Sequence, residues 1–190
     1  MKNAKQLRVS WKEKDKRIFG AFKWNAYVMA MYEDVFKKIK TTHGWEAQYG
    51  SKYSLKVDEN WKNDIKPEEI EEFINRNKQL YEIFVKGISS CDLFIADITN
   101  HNPNVFLELG IAIQMNKNIL VVTSQDISSM PFDISGYEAK KYESKDELYN
   151  IIEKEIKMFD IIKSQSFKAG ESIENKRYIS AQKGTLTNKD

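Results

Sequence analysis

A single carboxylate lies inside a markedly apolar stretch of this sequence. Glu108 is flanked by Leu107 and Leu109 within residues 91–114, CDLFIADITNHNPNVFLELGIAIQ. Loss of hydration raises the pKa of an unpaired carboxyl group, and such a cost is tolerated mostly at functional sites. A carboxylate in an apolar pocket can act as a nucleophile, or stabilise a cationic sugar while a glycosidic bond breaks. Spacing alone leaves two alternatives open: Glu108 faces solvent on an amphipathic helix, or it pairs with a buried Lys or Arg.

Polar residues just before Glu108 could share its site. Asp97 follows an apolar run of strand length, and Asn102 and Asn104 lie where the next helix is predicted to begin. Ligands of open parallel sheets bind beyond the carboxyl ends of the strands, and helix N-termini favour anions. Glu108 comes four residues after Asn104, so both project from one helix face. We therefore expect Asp97, Asn104 and Glu108 to face one crevice. The alternatives are a turn residue at Asp97 and a plain N-cap at Asn102.

Alternating short strands and helices must position these residues. Apolar runs predict strands at 17–22, 45–50, 91–96, 118–123 and 138–142. Helical spacing predicts helices at 26–41, 67–89 and 102–115, and a last one capped by Ser144. This alternation is typical of an α/β fold, with a mostly parallel central sheet and helices on both faces. Gly110, within the third helix, costs about 1 kcal/mol relative to Ala. It predicts a close approach of helix to sheet, or a ligand pressing on the backbone.

Composition narrows the class of protein. Of 190 residues, 41% are hydrophobic, and 30 basic against 28 acidic residues leave a net charge of +2. The hydrophobic fraction permits a real core, and the charge balance argues against a dedicated nucleic-acid binder. The single cysteine, Cys91, excludes an internal disulfide framework and a cysteine-cluster zinc site. There is no stretch of membrane-spanning length and no signal-peptide pattern, so we expect a cytoplasmic protein without membrane association.

The chain is expected to contain one domain with two appendages. Residues 1–16 are rich in Lys and Arg and predict a basic N-terminal extension, residues 17–163 form the α/β domain, and residues 164–190 form a polar C-terminal tail.

Phosphate-binding loops of the GxxxxGK[ST] type, GxGxxG turns and histidine-rich clusters are absent from the sequence. A carboxylate that supports cleavage of a glycosidic bond requires no metal, so we expect no metal and no cofactor.

The segment ADITNHNPNVFLELG, followed by KNILVVT, resembles a motif of the nucleoside 2-deoxyribosyltransferase-like and TIR-like (Toll/interleukin-1 receptor-like) nucleotide-processing superfamily. Leu107 stands where the family often has Tyr, and PFDISGY resembles a loop that often precedes its last strand. The likeness spans about residues 17–160 but is specific only over 91–123. It implies a flavodoxin-like (TIR-like) three-layer sandwich with its active site along the strand carboxyl ends.

The resemblance also implies roles for individual residues. Glu108 takes the position of the family's catalytic glutamate, and Asp97 would hold a ribose hydroxyl or position the leaving base. Substrate-binding positions are expected at Asn102, Asn104, Phe22, Lys23, Trp24, Phe132 and Asp133. The group from Phe22 to Trp24 follows the first strand and would form the wall of the base pocket, an assignment that rests on topology alone.

Three functions follow from these expectations. The favoured one is a TIR-like enzyme that cleaves the N-glycosidic bond of NAD+, by hydrolysis or cyclisation, with NAD+ as substrate and a place in bacterial antiviral defence. The first alternative is a nucleoside or deoxynucleotide 2-deoxyribosyltransferase or N-glycosidase. The second is a non-catalytic module that senses a nucleotide or binds a partner. A homo-oligomer or an effector partner is compatible with each of them.

Overall fold

A computed structural model of the chain describes residues 16–49, 78, 81–82, 84–126 and 137–169, the last five without their side chains. Several expectations lie outside these residues. They are residues 1–15 of the predicted extension, the predicted helix start at Pro67, the proposed contacts Phe132 and Asp133, and the predicted tail beyond residue 169. The division into extension, domain and tail therefore stays a prediction.

The chain forms two compact units, residues 1–119 and 120–190. The first unit contains β1 (Lys16–Ala21), α1 (Ala26–His43), β2 (Trp45–Tyr49), α2 (helical residues 84–90), β3 (Leu93–Asp97), a 3-10 turn (Thr99–His101) and α3 (Pro103–Gln114). The second contains β5 (Ala139–Lys141), α4 (Lys145–Ala169) and nearly all of β4 (Ile119–Thr123).

One five-stranded sheet has the strand order β2-β1-β3-β4-β5. β1 pairs in parallel with both β2 and β3, and β4 pairs in parallel with β5. Every residue of β3 is buried, as expected for a central parallel strand that is covered on both faces. The predicted α/β class with a mostly parallel central sheet is confirmed.

Helix α1 begins at the predicted residue, Ala26, and ends at His43, two residues past the predicted end at 41. The Asn25 side chain accepts a hydrogen bond from the Val28 N–H at 2.9 Å, and Gly44 ends the helix in the left-handed region at φ 70°. Asparagine at an N-cap and glycine just past a helix end are favoured because the first supplies an acceptor and the second lacks a Cβ. One face of α1 is buried, with Met31, Tyr32, Val35, Phe36 and Ile39.

The register of β1 and β3 aligns their carboxyl ends. Ala21 pairs with Ala96, so the next residues along each chain, Phe22 and Asp97, leave the sheet side by side. This is the edge at which open parallel sheets bind ligands. The two strands thus bring a predicted pocket residue and a predicted catalytic residue to one place.

Several boundaries differ from the sequence prediction, mostly by one or two residues. β3 starts at Leu93 rather than at Cys91, because the Cys91 N–H still bonds to the Gly87 carbonyl of α2, at 3.1 Å. The Cys91 thiol is buried, as expected, and burial raises its pKa to about 12, which leaves it unreactive. In the second unit, α4 continues to Ala169 and so passes the predicted domain end at residue 163.

Gly87 is expected to tolerate no side chain. A Cβ added there would lie 2.3 Å from Cε2 of Phe19, whose ring is fully buried and stacked on Phe94. We expect Gly87→Ala to lower the free energy of unfolding by about 1–3 kcal/mol through overpacking. Urea denaturation checks this, with Gly110→Ala as the matched helical control. An unchanged midpoint for Gly87→Ala would show that the Phe19 ring moves freely.

Candidate active site

Glu108 lies in the second turn of α3, half-buried beside the helix positions that form the core. Within the described part of the chain its carboxylate accepts no hydrogen bond and forms no ion pair, so the predicted pairing with a buried Lys or Arg does not occur there. Loss of hydration alone raises the pKa of Glu108 from 4.5 to about 8. Near neutral pH the unliganded protein therefore holds this carboxyl group mostly protonated. An unpaired group of this kind is a candidate for chemistry rather than for stability.

Asp97 is bound on both of its carboxylate oxygens. Oδ2 accepts a hydrogen bond from the Tyr32 hydroxyl at 3.0 Å, and Oδ1 accepts one from the Thr99 N–H at 3.0 Å and one from Thr99 Oγ1 at 2.5 Å. Only 2% of the residue is exposed. The bond to the N–H two residues ahead is the Asx turn that the sequence left open as an alternative. These contacts favour the turn alternative, and the predicted contact with a sugar or base stays a prediction.

Tyr32 was not predicted as part of the site. It lies on the buried face of α1, where its spacing is that of an ordinary core residue, so no sequence signal distinguishes it. Its ring stacks on Phe22 with centroids 4.1 Å apart and an interplanar angle of 4°. Phe22 also packs against Tyr49, the last residue of β2, at 5.1 Å. The carboxyl ends of β2, β1 and β3 are therefore joined by one aromatic cluster that ends at the Asp97 carboxylate.

The three residues predicted to form the base-pocket wall separate into two groups. Phe22 is buried beneath Tyr32 and belongs to the core. Lys23 and Trp24 are exposed, and the Trp24 ring lies 6.3 Å from that of Phe84 in α2. Tyr27, the second residue of α1, is 78% exposed. Exposed aromatic rings beside the strand ends suit contact with a planar base, so Trp24 remains the better candidate of the three.

The start of α3 is capped as predicted. The Asn102 side chain accepts a hydrogen bond from the Asn104 N–H at 3.0 Å, and Pro103 takes the first helical position. Asn102 is thus an N-cap, the alternative that the sequence favoured. Asn104 is exposed and Glu108 half-buried, one turn apart on the same helix face. A ligand above this face would meet the Asn104 amide before the Glu108 carboxylate.

The expectation for Gly110 was wrong in one respect. Among the described residues, only its chain neighbours and its own helix backbone lie within 4 Å of a Cβ built at Gly110. The helix does not approach the sheet at this residue, because Gly110 points away from the buried positions Val105, Leu109 and Ala112. A ligand pressing on the backbone stays a prediction.

The described residues contain no group of three or more His, Cys, Asp or Glu side chains placed to hold a metal ion. Nor do they include a helix that is both long and apolar enough to cross a membrane.

Comparison with known proteins identifies shared folds. No protein-family model and no curated protein matches the chain. Among solved structures, the CMP N-glycosidase BcmB of Clostridium botulinum is 21% identical, with a TM-score of 0.50, over 73% of this chain and 98% of that one. A 2-deoxyribosyltransferase from Bacillus psychrosaccharolyticus is 12% identical over 70% and 90% of the two chains, with a TM-score of 0.49. A Leishmania mexicana 2-deoxyribosyltransferase is 18% identical over 58% and 65%, at 0.39.

At these identities the likeness to the Clostridium botulinum enzyme establishes the fold alone. That fold agrees with the one implied by the resemblance seen in the sequence. The TIR-like part stays a prediction.

Proposed function

We propose that this protein is an enzyme that cleaves the N-glycosidic bond of a nucleoside or nucleotide, and that Glu108 is its catalytic carboxylate. The observation that carries the proposal is Glu108 on α3, which is half-buried and has no bonded partner among the described residues, in a chain that shares the fold of a CMP N-glycosidase. The place of Glu108 on α3 and its raised pKa therefore both mark it as the candidate catalytic residue. The bond broken is the same in all the enzymes that the sequence brought into consideration, so the reaction class does not depend on the leaving base.

The environment of Glu108 suits a reaction that passes through a cationic sugar. Burial disfavours the ionised carboxylate in the free protein, and a positive charge developing at the anomeric carbon restores that ionised form. The interaction is therefore stronger in the transition state than in the ground state, which is the condition for catalysis. A permanent ion pair would remove this difference, and none involves Glu108 in the described residues.

The bond changes are those of a double displacement. Glu108 reacts in its ionised form: one of its carboxylate oxygens bonds to the anomeric carbon while the bond from that carbon to the base nitrogen breaks. The bonding pair leaves with the base, which takes up a proton from solvent. Water then displaces the carboxylate in a hydrolase, or the nitrogen of a second base displaces it in a transferase, and the incoming water or base releases a proton to solvent. Both outcomes regenerate the Glu108 carboxylate.

The choice of substrate class follows from the neighbours. They are named for CMP and for deoxyribosyl transfer, and none is named for NAD+. We therefore rank nucleosides and nucleotides before NAD+, the substrate that the sequence favoured. NAD+ stays in the test because it presents the same anomeric carbon–nitrogen bond. Exposed Trp24 and Tyr27 would contact the base, and Asn104 the sugar.

A substrate panel with product identification tests the proposal. Purified protein is incubated with cytidine, CMP, 2′-deoxynucleosides plus an acceptor base, and NAD+, and chromatography identifies the products. We expect free cytosine or an exchanged base, while Glu108→Gln yields neither. A contaminating nucleosidase would act equally in both preparations. Nicotinamide release alone would move the substrate to NAD+, and no release from any of these substrates would overturn the proposal.

A further inference from the structure

The Tyr32 hydroxyl makes a buried bond to a carboxylate from a distant part of the chain. Tyr32 is fully buried in α1, and its Oη lies 3.0 Å from Oδ2 of Asp97, the last residue of β3. The stack on Phe22 fixes the plane of the Tyr32 ring and hence the direction of its hydroxyl. A charge-assisted hydrogen bond between buried groups is strong and directional, so α1 holds one oxygen of Asp97 in place.

The other oxygen of Asp97 holds the turn that follows. Oδ1 accepts both the N–H and the hydroxyl of Thr99, and the chain then passes through two left-handed residues, Asn100 at φ 60° and His101 at φ 49°. Residues other than glycine adopt this conformation at a cost, and they persist in it only where the surroundings enforce it. Asp97 is part of that enforcement because it fixes the entry to the turn.

The turn leads directly into the helix that carries Glu108. The His101 ring stacks on Phe106 of α3 with centroids 6.2 Å apart, and the Asn102 carbonyl accepts the Phe106 N–H at 3.2 Å. Only five residues, 98–102, separate Asp97 from the first residue of α3, and Glu108 is the sixth residue of that helix. A displacement of Asp97 is therefore transmitted through a short, constrained connection to Glu108.

We propose that Tyr32 is a positioning residue, whose hydroxyl acts through Asp97 and Thr99 to fix the turn into α3 and so sets how deeply Glu108 is buried. As a statement about catalysis the inference rests on the proposed function, because it concerns the residue assigned to the chemistry. Asp97 on this view acts within the protein and not on the substrate. One of its oxygens accepts a hydrogen bond from the Tyr32 hydroxyl of α1, and the other accepts hydrogen bonds from Thr99 in the turn before α3.

A titration of Glu108 tests the inference without any need for turnover. In carboxyl ¹³C NMR, the Glu108 resonance is assigned by its loss in Glu108→Gln and is expected to titrate at about pH 8 in the wild type. Tyr32→Phe keeps the stacked ring and removes only the hydroxyl. If α3 then shifts and Glu108 gains water, the midpoint falls by about one pH unit or more, toward 4.5.

Tyr49→Phe is the matched control, since it removes a hydroxyl bonded to the Glu33 carboxylate in the same aromatic cluster. It is expected to leave the Glu108 midpoint in place. Thr99→Val removes a donor to the opposite oxygen of Asp97 and is expected to move the midpoint as Tyr32→Phe does. This second variant also replaces Tyr32→Phe if the latter does not fold. A midpoint that stays at the wild-type value in the folded variant would overturn the inference.

Turnover gives a second readout. We expect Tyr32→Phe to lower kcat/KM about 10- to 100-fold, since small misplacements of a reacting group cost that much. The factor should be equal for substrates with and without each ribose hydroxyl. A factor that disappears with one hydroxyl would instead show that Asp97 contacts the sugar, and would overturn the positioning role. If the wild type cleaves nothing but the Glu108 midpoint moves in Tyr32→Phe, the proposed function fails and the structural inference stands.

Discussion

Replacing Glu108 by Gln is expected to lower kcat/KM for N-glycosidic cleavage by at least about 10³-fold. The amide has nearly the shape of the carboxyl group, but it neither bonds to the anomeric carbon nor carries the negative charge that a cationic sugar requires. Among the described residues, no other carboxylate bonds to Glu108, so none is placed there to take over its role in the variant. Steady-state kinetics on the best substrate of the panel measures the effect.

The matched control for this experiment is Glu46→Gln. Glu46 lies near the start of β2, at the opposite end of the strand from the carboxyl edge, and forms a surface ion pair with Lys40 at 2.7 Å. It is expected to retain wild-type kcat/KM. If Glu108→Gln retained more than a tenth of the wild-type value, Glu108 would not be the nucleophile.

The pH profile of the wild type separates two roles for Glu108. A nucleophile must be ionised, so kcat/KM of the free enzyme would rise with pH and level off above about 8, the pKa that burial gives Glu108. A general acid must be protonated, so kcat/KM would instead fall through the same value. The double displacement requires the rising profile. Mass spectrometry of a trapped glycosyl-enzyme, with the sugar on Glu108, would identify the nucleophile directly.

The same substitution is expected to stabilise the protein at alkaline pH. The folded-state pKa of Glu108 is about 8 and the ordinary value is 4.5, so the folded state binds the proton more tightly than the unfolded state. The stability from this group is fully present below pH 4.5, declines as the pH rises, and is lost above pH 8. By pH 7, linkage limits the loss of folding stability from this group to on the order of 3 kcal/mol. Partial hydration of the half-buried side chain makes the actual loss smaller.

We expect Glu108→Gln to raise the free energy of unfolding by about 1–3 kcal/mol at pH 9, and by much less at pH 4.5. Urea denaturation at pH 4.5, 7 and 9 measures the difference. Glu46→Gln, which breaks only an exposed ion pair, should change stability by less than about 1 kcal/mol throughout. A gain that is the same at all three pH values would show that hydration of Glu108 is not the cause.

Loss of activity and gain of stability in one variant would together identify a functional residue. A carboxylate that only stabilised the fold would give the opposite sign in the denaturation experiment. Proteins retain destabilising groups mostly where function requires them. Glu108 is the residue for which burial, the absence of a bonded partner among the described residues and position in the second turn of α3 agree.

The sequence by itself determined the order of the described strands and helices along the chain, and it pointed to the residue that we propose as catalytic. Apolar runs are sufficient for β1, β3 and β4 because a strand buried on both faces of a parallel sheet must be apolar throughout. The start of α3 follows from Asn102 and Pro103, whose preferences are local. Glu108 was identifiable because a charge within an apolar run violates the local pattern.

The contacts between distant residues were decided only by the tertiary structure. The pairing of Ala21 with Ala96 and the bond from Tyr32 to Asp97 join residues up to 75 positions apart, and no periodicity records them. Tyr32 has the spacing of a core residue, so its hydroxyl bond is invisible in the sequence. Gly110 could have marked a close approach of helix to sheet, yet no described residue outside its own helix packs against it. Which side chain meets which depends on how the strands assemble into a sheet, and residue patterns fix only the strands themselves.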